Sequence, residues 1–255
     1  MKLENEVLLQ SSRISQRERD ACLNVLNGFN TTSMPVSDKA ANFTNWARTR
    51  DVARFIARYH LFKMIENVPG CIFECGVHYG GGFSAWQHLS EIYEPVNFTR
   101  RIFGFDTFKG FPDVTDVDNQ GKGVSHSIGD FSVGGEQDLI INTLESIEKT
   151  RKIEVPERFN MIVGDISLTL PELLLKDSSI SIALLYMDLD LYEPTVNTLN
   201  ACKERLTKGS VVVFDEYADP NWPGETKALA DTLGINNVKL RSFSQIPRIS
   251  YFVFE

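Results

Sequence analysis

The sequence predicts a doubly wound α/β fold built on a seven-stranded sheet whose last strand runs antiparallel, preceded by an N-terminal helical arm. Two observations carry this expectation. From residue 71 onward, short continuous apolar runs alternate with helical segments. Strands of that kind with helices between them imply a parallel sheet covered on both faces. The alternation then ends in KLRSFSQI and SYFVFE, with only a short Pro-containing turn between them. So short a link cannot make a parallel crossover, so these two strands pair as an antiparallel hairpin.

In chain order, the first 45 residues are polar, with Ile14, Cys22, Val25, Leu26 and Phe29 at loosely helical spacing before the loop NTTSMPVSDKAAN. We take residues 1–45 as an arm or lid and residues 46–255 as the main domain. Residues 46–66 set Val52, Phe55, Ile56, Tyr59 and Phe62 at three-and-four spacing, which predicts a long amphipathic helix with those side chains on one face. CIFECGV, a helix over residues 82–94 and RIFGFD follow. After a long loop and a helix near residues 136–150 come FNMIVGD, a short helix through LPELLLK, SIALLYMD, a helix through residues 193–206, SVVVFDEY and a last helix. Seven strands with the last antiparallel make the class I methyltransferase (Rossmann-like) topology, which differs from the all-parallel six-stranded dinucleotide sheet.

Composition narrows the functional classes. At 255 residues, with 42% hydrophobic and 24% charged residues, the chain has the balance of a soluble globular protein with a sizeable core. No stretch approaches the roughly eighteen apolar residues of a membrane span, and the start MKLENEVLLQ is too polar for a signal-peptide core. A cytoplasmic protein without membrane association is expected. The net charge of −8 and the lack of a basic stripe exclude a nucleic-acid partner and favour a small-molecule substrate. Cys22, Cys71, Cys75 and Cys202 form no CxxC pair and are expected as core thiols. The N-x-T sequons at Asn30, Asn42 and Asn97 are chance matches without a secretion signal.

In such a sheet the ligand sits beyond the carboxyl ends of the strands at the switch point. The first strand-to-helix turn reads Glu74-Cys75-Gly76-Val77-His78-Tyr79-Gly80-Gly81-Gly82. Gly76, Gly80 and Gly82 suit a close backbone approach to a ligand, although a tight turn opening an ordinary helix needs glycines too. The spacing E-x-G-x-x-x-G is not the G-x-G-x-x-G of a dinucleotide pyrophosphate site. A carboxylate at Glu74 suits a ligand carrying an ammonium and a sulfonium better than one carrying phosphates. The second strand ends at Asp106, a candidate acceptor for both ribose hydroxyls of an adenosine, with Thr107 and Phe108 beside it. Gly164 and Asp165 end the third strand and either line an adenine pocket or, for Asp165, cap the next helix.

Strand four runs into Met187-Asp188-Leu189-Asp190-Leu191-Tyr192-Glu193 and strand five into Phe214-Asp215-Glu216-Tyr217. As neighbours, these strand ends bring Asp188, Asp215 and Glu216 together. Packed carboxylates repel unless a cation or protons intervene. An all-oxygen set suits Mg²⁺ or a similar hard cation, whereas zinc or copper prefers His and Cys. Such a cation favours loss of a proton from a bound alcohol, and Asp188 is the candidate base that takes it. Asp190 is left to hydrogen bonding or capping. The competing interpretation is that all four acids are strand-end and helix-cap residues.

Four motifs, ECGVHYGGG, GFDTFKGFP, MDLDLYEPT and VVVFDEY, carry a family resemblance over about residues 46–235. Together they resemble the macrocin O-methyltransferase family, metal-dependent sugar O-methyltransferases of macrolide, aminocoumarin and related antibiotic pathways. The resemblance implies methyl transfer from S-adenosylmethionine to a sugar hydroxyl, assisted by Mg²⁺ held at Asp188, Asp215 and Glu216, with Asp188 also the base. Glu216 stands where that family usually has a second Asp, and His78 where it often has Trp or Arg. His78 faces either a ligand or solvent.

The stretch 107–135 has few periodic signals, and a loop of that length is usually a lid or a binding loop. We expect it, with the N-terminal arm, to close over the substrate. Phe108, Phe111 and Phe131 either stack on a sugar face or anchor the loop to the core. A homo-oligomer formed through the arm is also expected. A nicotinamide-dependent oxidoreductase is disfavoured by the glycine spacing and the terminal hairpin. A non-catalytic binding protein of the same fold is disfavoured by the intact acidic cluster.

Overall fold

The structure is a computed structural model, and it describes residues 15–122, 125–154, 156 and 158–255. Residues 1–14, including Ile14 of the expected arm helix, lie outside the described residues. The chain divides into two compact units between Arg54 and Phe55.

In the first unit, α1 (Gln16–Thr31) opens on a capping box. Ser15 and Glu18 each accept from the other's backbone N–H, at 3.3 Å and 2.8 Å, which satisfies two donors that a helix start leaves orphaned. None of its residues is buried. The expected loop after it contains a second helix, α2 (Val36–Ala41), which follows Pro35. Phe29 meets Trp46 edge to face at 5.6 Å, and Lys39 Nζ donates to the Phe29 carbonyl at 2.6 Å.

The second unit holds the sheet. Its strands are β1 (Cys71–Cys75), β2 (Ile102–Asp106), β3 (Phe159–Val163), β4 (Ile182–Met187), β5 (Leu206–Phe214), β6 (Arg241–Phe243) and β7 (Ile246–Val253). They lie in the order β3-β2-β1-β4-β5-β7-β6, with β7 antiparallel to both neighbours. The helices are α3 (Thr49–Ile65, begun in the first unit), α4 (Gly81–Tyr93), α5 (Gln137–Lys149), α6 (Ile166–Lys176), α7 (Tyr192–Cys202) and α8 (Pro223–Thr232).

Alternation along the strands builds two cores, one on each face of the sheet. Ile72, Leu184, Tyr186 and Val213 meet Leu61, Phe62, Phe83, Trp86 and Leu144 from α3, α4 and α5. On the opposite face, Phe73, Phe105, Leu185 and Phe214 meet Leu170, Leu174, Leu199 and Leu229 from α6, α7 and α8. Helices on both faces hide β1 and β4 completely, which is why these central strands read as unbroken apolar runs.

Three details depart from expectation. In α3 the buried stripe is Ala57, Leu61, Phe62 and Ile65, while Phe55 and Ile56 stay 41% and 40% exposed. The helix is therefore rotated from the face that the larger side chains suggested. Strand β5 starts at Leu206, opposite Ile182, and continues past a register irregularity to pair Val211 with Leu184. Gly209 lies in that stretch with φ 93°, a conformation that glycine adopts without penalty. Pro247 sits inside β7 instead of the hairpin turn, ahead of the segment paired with β5 that begins at Ser250, so its missing N–H breaks no ladder there.

One buried cation secures the entry to β1. Arg100 Nη2 donates to the Ile65 carbonyl at 2.8 Å, and Nη1 to those of Val68 and Gly70 at 2.9 Å and 2.6 Å. Glu94 takes Nε and Nη2 at 2.9 Å and 3.0 Å. It thus covers the carbonyl end of α3, where cations are favoured, and fixes where β1 begins. Arg100→Ala should lower unfolding free energy by about 3–5 kcal/mol, because it strands a buried carboxylate and several carbonyls. Urea denaturation measures this; a loss below about 1 kcal/mol would contradict that role.

Candidate active site

Parallel register sets the site's level. Cys75 lies opposite Met187 and Met187 opposite Phe214, so Gly76, Asp188 and Asp215 leave β1, β4 and β5 side by side. Asp188 N donates to the Cys75 carbonyl at 2.8 Å and Asp215 N to the Met187 carbonyl at 3.0 Å, extending the ladder to the first residue of each loop. Gly76 has φ 92°, and a Cβ there would lie 1.9 Å from the Asp188 carbonyl oxygen. The switch point between β1 and β4 is thus closed by backbone contact that only glycine permits.

Asp106 organises the glycine turn. Its Oδ2 accepts from Val77 N and His78 N, each at 2.7 Å, and its Oδ1 from Phe108 N at 2.6 Å. Gly80, at φ 86°, precedes the first turn of α4, which has no side-chain cap. Its uncapped N–H groups favour an anionic ligand group. Strain collects at the same edge: His78, Phe108, Asp190 and Ala218, all with positive φ, follow the ends of β1, β2, β4 and β5. Non-glycine residues held that way cluster at binding sites, where the surrounding structure enforces them.

The expected ligand residues separate into two groups. Gly76, Gly80, Asp106 and Asp188 come together at this edge. Glu74 does not, because it lies with Ile72 and Tyr186 in the interior beneath α3 and α4. Its buried carboxylate accepts from Arg58 at 3.1 Å and from the Trp86 indole, and burial raises its pKa against the pull of Arg58. Gly82 faces the same interior, where a Cβ would stand 1.9 Å from Glu74 Oε1. Thr107 spends its hydroxyl within the loop, donating to the Gly110 carbonyl at 2.7 Å and accepting from Lys109 N at 3.1 Å. Phe108 is buried, so only its backbone reaches the site. Asp165 caps α6, accepting from Ser167 N at 2.9 Å, beside Gly164, whose φ is 141°.

The acidic residues converge as expected. One carboxylate oxygen from each of Asp188, Asp215 and Glu216 falls within 4.8 Å of the others. Asp215 and Glu216 are buried, and Glu216 Oε2 accepts no hydrogen bond among the described residues. Tyr186 donates its hydroxyl to Asp215, and the Arg58 guanidinium lies 4.6 Å above the Tyr186 ring.

Three residues of this site escaped the sequence. Glu225, fully buried on α8, accepts from Leu189 N at 3.3 Å and Glu216 N at 3.0 Å, tying the loops after β4 and β5 to one side chain. Burial pushes its pKa well above the usual carboxylate range, with Asp190, Asp215 and Asp188 adding to the shift. The tell-tale signal was Pro223-Gly224 at a helix start: a Cβ at Gly224 would lie 2.7 Å from the Asp190 carbonyl oxygen, so α8 packs tightly on that loop. The second is Arg248 on β7, which contacts Asp215, Glu216 and Asp219. Asp118 is the third, accepting from Tyr192 N at 2.7 Å and so joining the long loop to the start of α7.

The described part of loop 107–135 is well anchored. Lys122 N donates to the Pro220 carbonyl at 2.8 Å, and His126 stacks on Trp222 at 3.9 Å. Phe108 and Phe111 are buried and anchor the loop, whereas Phe131 is 50% exposed, 5.8 Å from Trp222 and 6.1 Å from His78. His78 itself is exposed and packs on Tyr79 at 4.3 Å.

A seven-stranded sheet in this order, with a glycine turn at its switch point, defines the class I methyltransferase fold. Residues 47–232 match the family model described as macrocin-O-methyltransferase (TylF), and the chain belongs to that family. It is similar to the crystal structure of CalS11, described as a calicheamicin methyltransferase, at 34% identity and TM-score 0.89 over 95% of this chain and 94% of that one. An apo structure of CalS11, described as a TDP-rhamnose 3'-O-methyltransferase, gives 30% identity and TM-score 0.81 over 95% and 96%. Demethyldecarbamoylnovobiocin O-methyltransferase of Streptomyces niveus is 26% identical over 162 residues, 60% of this chain and 54% of that protein. The chain thus spans about half the length of that curated relative.

Two neighbouring glycines test the turn. Gly76→Ala should cost about 2 kcal/mol or more in thermal unfolding, from its backbone conformation and its collision with Asp188. Gly81→Ala, with nothing within 4 Å of the added Cβ, should stay within about 0.5 kcal/mol of the native chain or gain slightly. Equal losses at both positions would contradict the close approach of β1 and β4.

Proposed function

We propose that the chain transfers the methyl group of S-adenosylmethionine to a sugar hydroxyl, with a divalent cation such as Mg²⁺ at Asp188, Asp215 and Glu216. The observation that carries this is the placement of Asp188: its backbone closes on Gly76 of the glycine turn while its carboxylate lies with Asp215 and Glu216. A methyl donor on one side and an activated hydroxyl on the other therefore meet at one residue.

The donor set fits a hard cation. All three side chains offer oxygen, and the buried Glu216 Oε2 has no hydrogen bond to satisfy it. Bound there, the cation would lower the pKa of a substrate hydroxyl placed against it. Asp188 would accept the proton of that hydroxyl as its oxygen attacks the sulfonium methyl in line, breaking the methyl–sulfur bond and releasing S-adenosylhomocysteine. The turn that Gly76 and Gly80 shape leads into the uncapped start of α4, which receives the methionyl carboxylate. Asp106 already holds three N–H groups, so about one of its lone-pair positions is left for a ribose hydroxyl. Gly164 and Asp165, next to the end of β2, flank the adenine. Orientation of hydroxyl against methyl contributes much of the rate.

The sugar acceptor rests on the relatives, whose names specify TDP-rhamnose and a novobiocin precursor. A nucleotide-linked deoxysugar or an antibiotic glycoside is the substrate class. A net charge of −8 and no helix among the described residues long and apolar enough to cross a membrane suit a cytoplasmic enzyme of small-molecule metabolism.

Calorimetric titration should detect binding of S-adenosylmethionine and none of NAD. Methyl transfer to a TDP-deoxysugar should require Mg²⁺ and fall by roughly 10²–10⁴-fold in Asp188→Asn, which preserves shape and removes the base. NAD binding would overturn the donor assignment, and full activity in chelator would overturn the metal.

A further inference from the structure

Arg248 carries a role that nothing in the glycine turn or the methyl-transfer chemistry calls for. It projects from β7, where the antiparallel pairing sets Phe214 opposite Ser250. Arg248 stands two residues before Ser250, and Glu216 two residues beyond the end of β5 at Phe214. Its Nη2 bonds Glu216 Oε1 and lies 3.7 Å from Asp215 Oδ2, while its Nη1 lies 3.6 Å from Asp219 Oδ2. Two of the three candidate cation ligands therefore share one guanidinium nitrogen.

A small divalent cation coordinates oxygen at about 2.0–2.1 Å. A cation on Glu216 Oε2 and Asp215 would sit beside an Nη2 bonded to Glu216 Oε1, so the two positive charges would repel across one buried carboxylate. Yet the carboxylates are almost fully buried and need a counter-charge in the absence of metal. Arg248 can supply it reversibly, since its side chain is 36% exposed while those of Asp215 and Glu216 are 0% and 3% exposed. Asp219, already beside Nη1, offers a second anchor on the same guanidinium.

We propose that Arg248 is a built-in counter-ion of the acidic site: it neutralises Asp215 and Glu216 when no metal is bound and withdraws toward Asp219 as a divalent cation enters. The proposal rests on the metal assignment made above. It makes Arg248 a positioning residue that sets metal affinity, keeping the site weak and exchangeable without touching substrate.

Mn²⁺ affinity, measured by calorimetry without methyl donor or acceptor, tests this directly. Arg248→Met should bind Mn²⁺ roughly tenfold more tightly than the native chain, the effect of removing one competing charged hydrogen bond. The same variant, metal-free, should melt at lower temperature, and Mn²⁺ should raise its melting temperature more than that of the native chain. Arg248→Lys keeps a charge without the planar fork and should tighten binding by a smaller factor of about two to three. It also carries the test if the Met variant does not melt cooperatively. Should the native chain bind Mn²⁺ and both folded variants bind it equally or more weakly, the counter-ion role is overturned while the metal site stands. If neither the native chain nor the variants bind Mn²⁺, the metal assignment falls and takes this role with it.

Discussion

The structure depends on the crowding of like charge where β4 and β5 end. Asp188, Asp215, Glu216 and Asp219 leave two adjacent strands within a few residues, and Glu225 joins them from α8. Left to themselves, these carboxylates would repel one another, take up protons or drag the strand ends apart. The surrounding fold prevents this with backbone. Ladder bonds run one residue past each strand, and Glu225 holds Leu189 N and Glu216 N together. Burial raises the pKa of Glu225, and the neighbouring Asp190, Asp215 and Asp188 add to the shift. The Tyr186 hydroxyl and Arg248 account for further oxygens. Breaking such a network by removing one partner is costlier than any single bond in it implies, because the rest stays buried.

The glycine turn is the other half of the same device. The Gly76 contact with Asp188 couples the donor side of the crevice to the acidic side, and Asp106 sets the turn's conformation through two short backbone bonds, from Val77 and His78. Four positive-φ residues at the strand ends indicate that this edge is held in a costly shape by the packing behind it. Glu74, Arg58, Trp86 and Tyr186 form that packing. They fill the interior directly beneath the site, and the Arg58–Tyr186–Asp215 contacts connect the long helix α3 with the candidate metal ligand.

Much of this was legible in the sequence, and the reasons are physical. Unbroken apolar runs gave away strands covered on both faces, the short terminal link gave the antiparallel hairpin, and neighbouring strand ends brought Asp188, Asp215 and Glu216 together. What escaped depended on direction and on distant pairing. Glu74 stands before the glycines in sequence, but strand alternation turns it into the core beneath α3 and α4, where Arg58 and Trp86 hold it. In α3 the large side chains Phe55 and Ile56 drew attention, whereas the face that packs closely is the one with Ala57. Glu225 and Arg248 lie 9 and 32 residues beyond the partner they contact, Glu216. Only the β5–β7 register and the close approach of α8 bring them there, and no local pattern encodes either.

The proposed chemistry requires a single cation held by the three carboxylates at the ends of β4 and β5. Anomalous diffraction from crystals of the native chain grown with Mn²⁺ tests it most directly. One strong peak is expected within bonding distance of Asp188, Asp215 and Glu216. No peak at that edge, or one bound elsewhere on the chain, would contradict it.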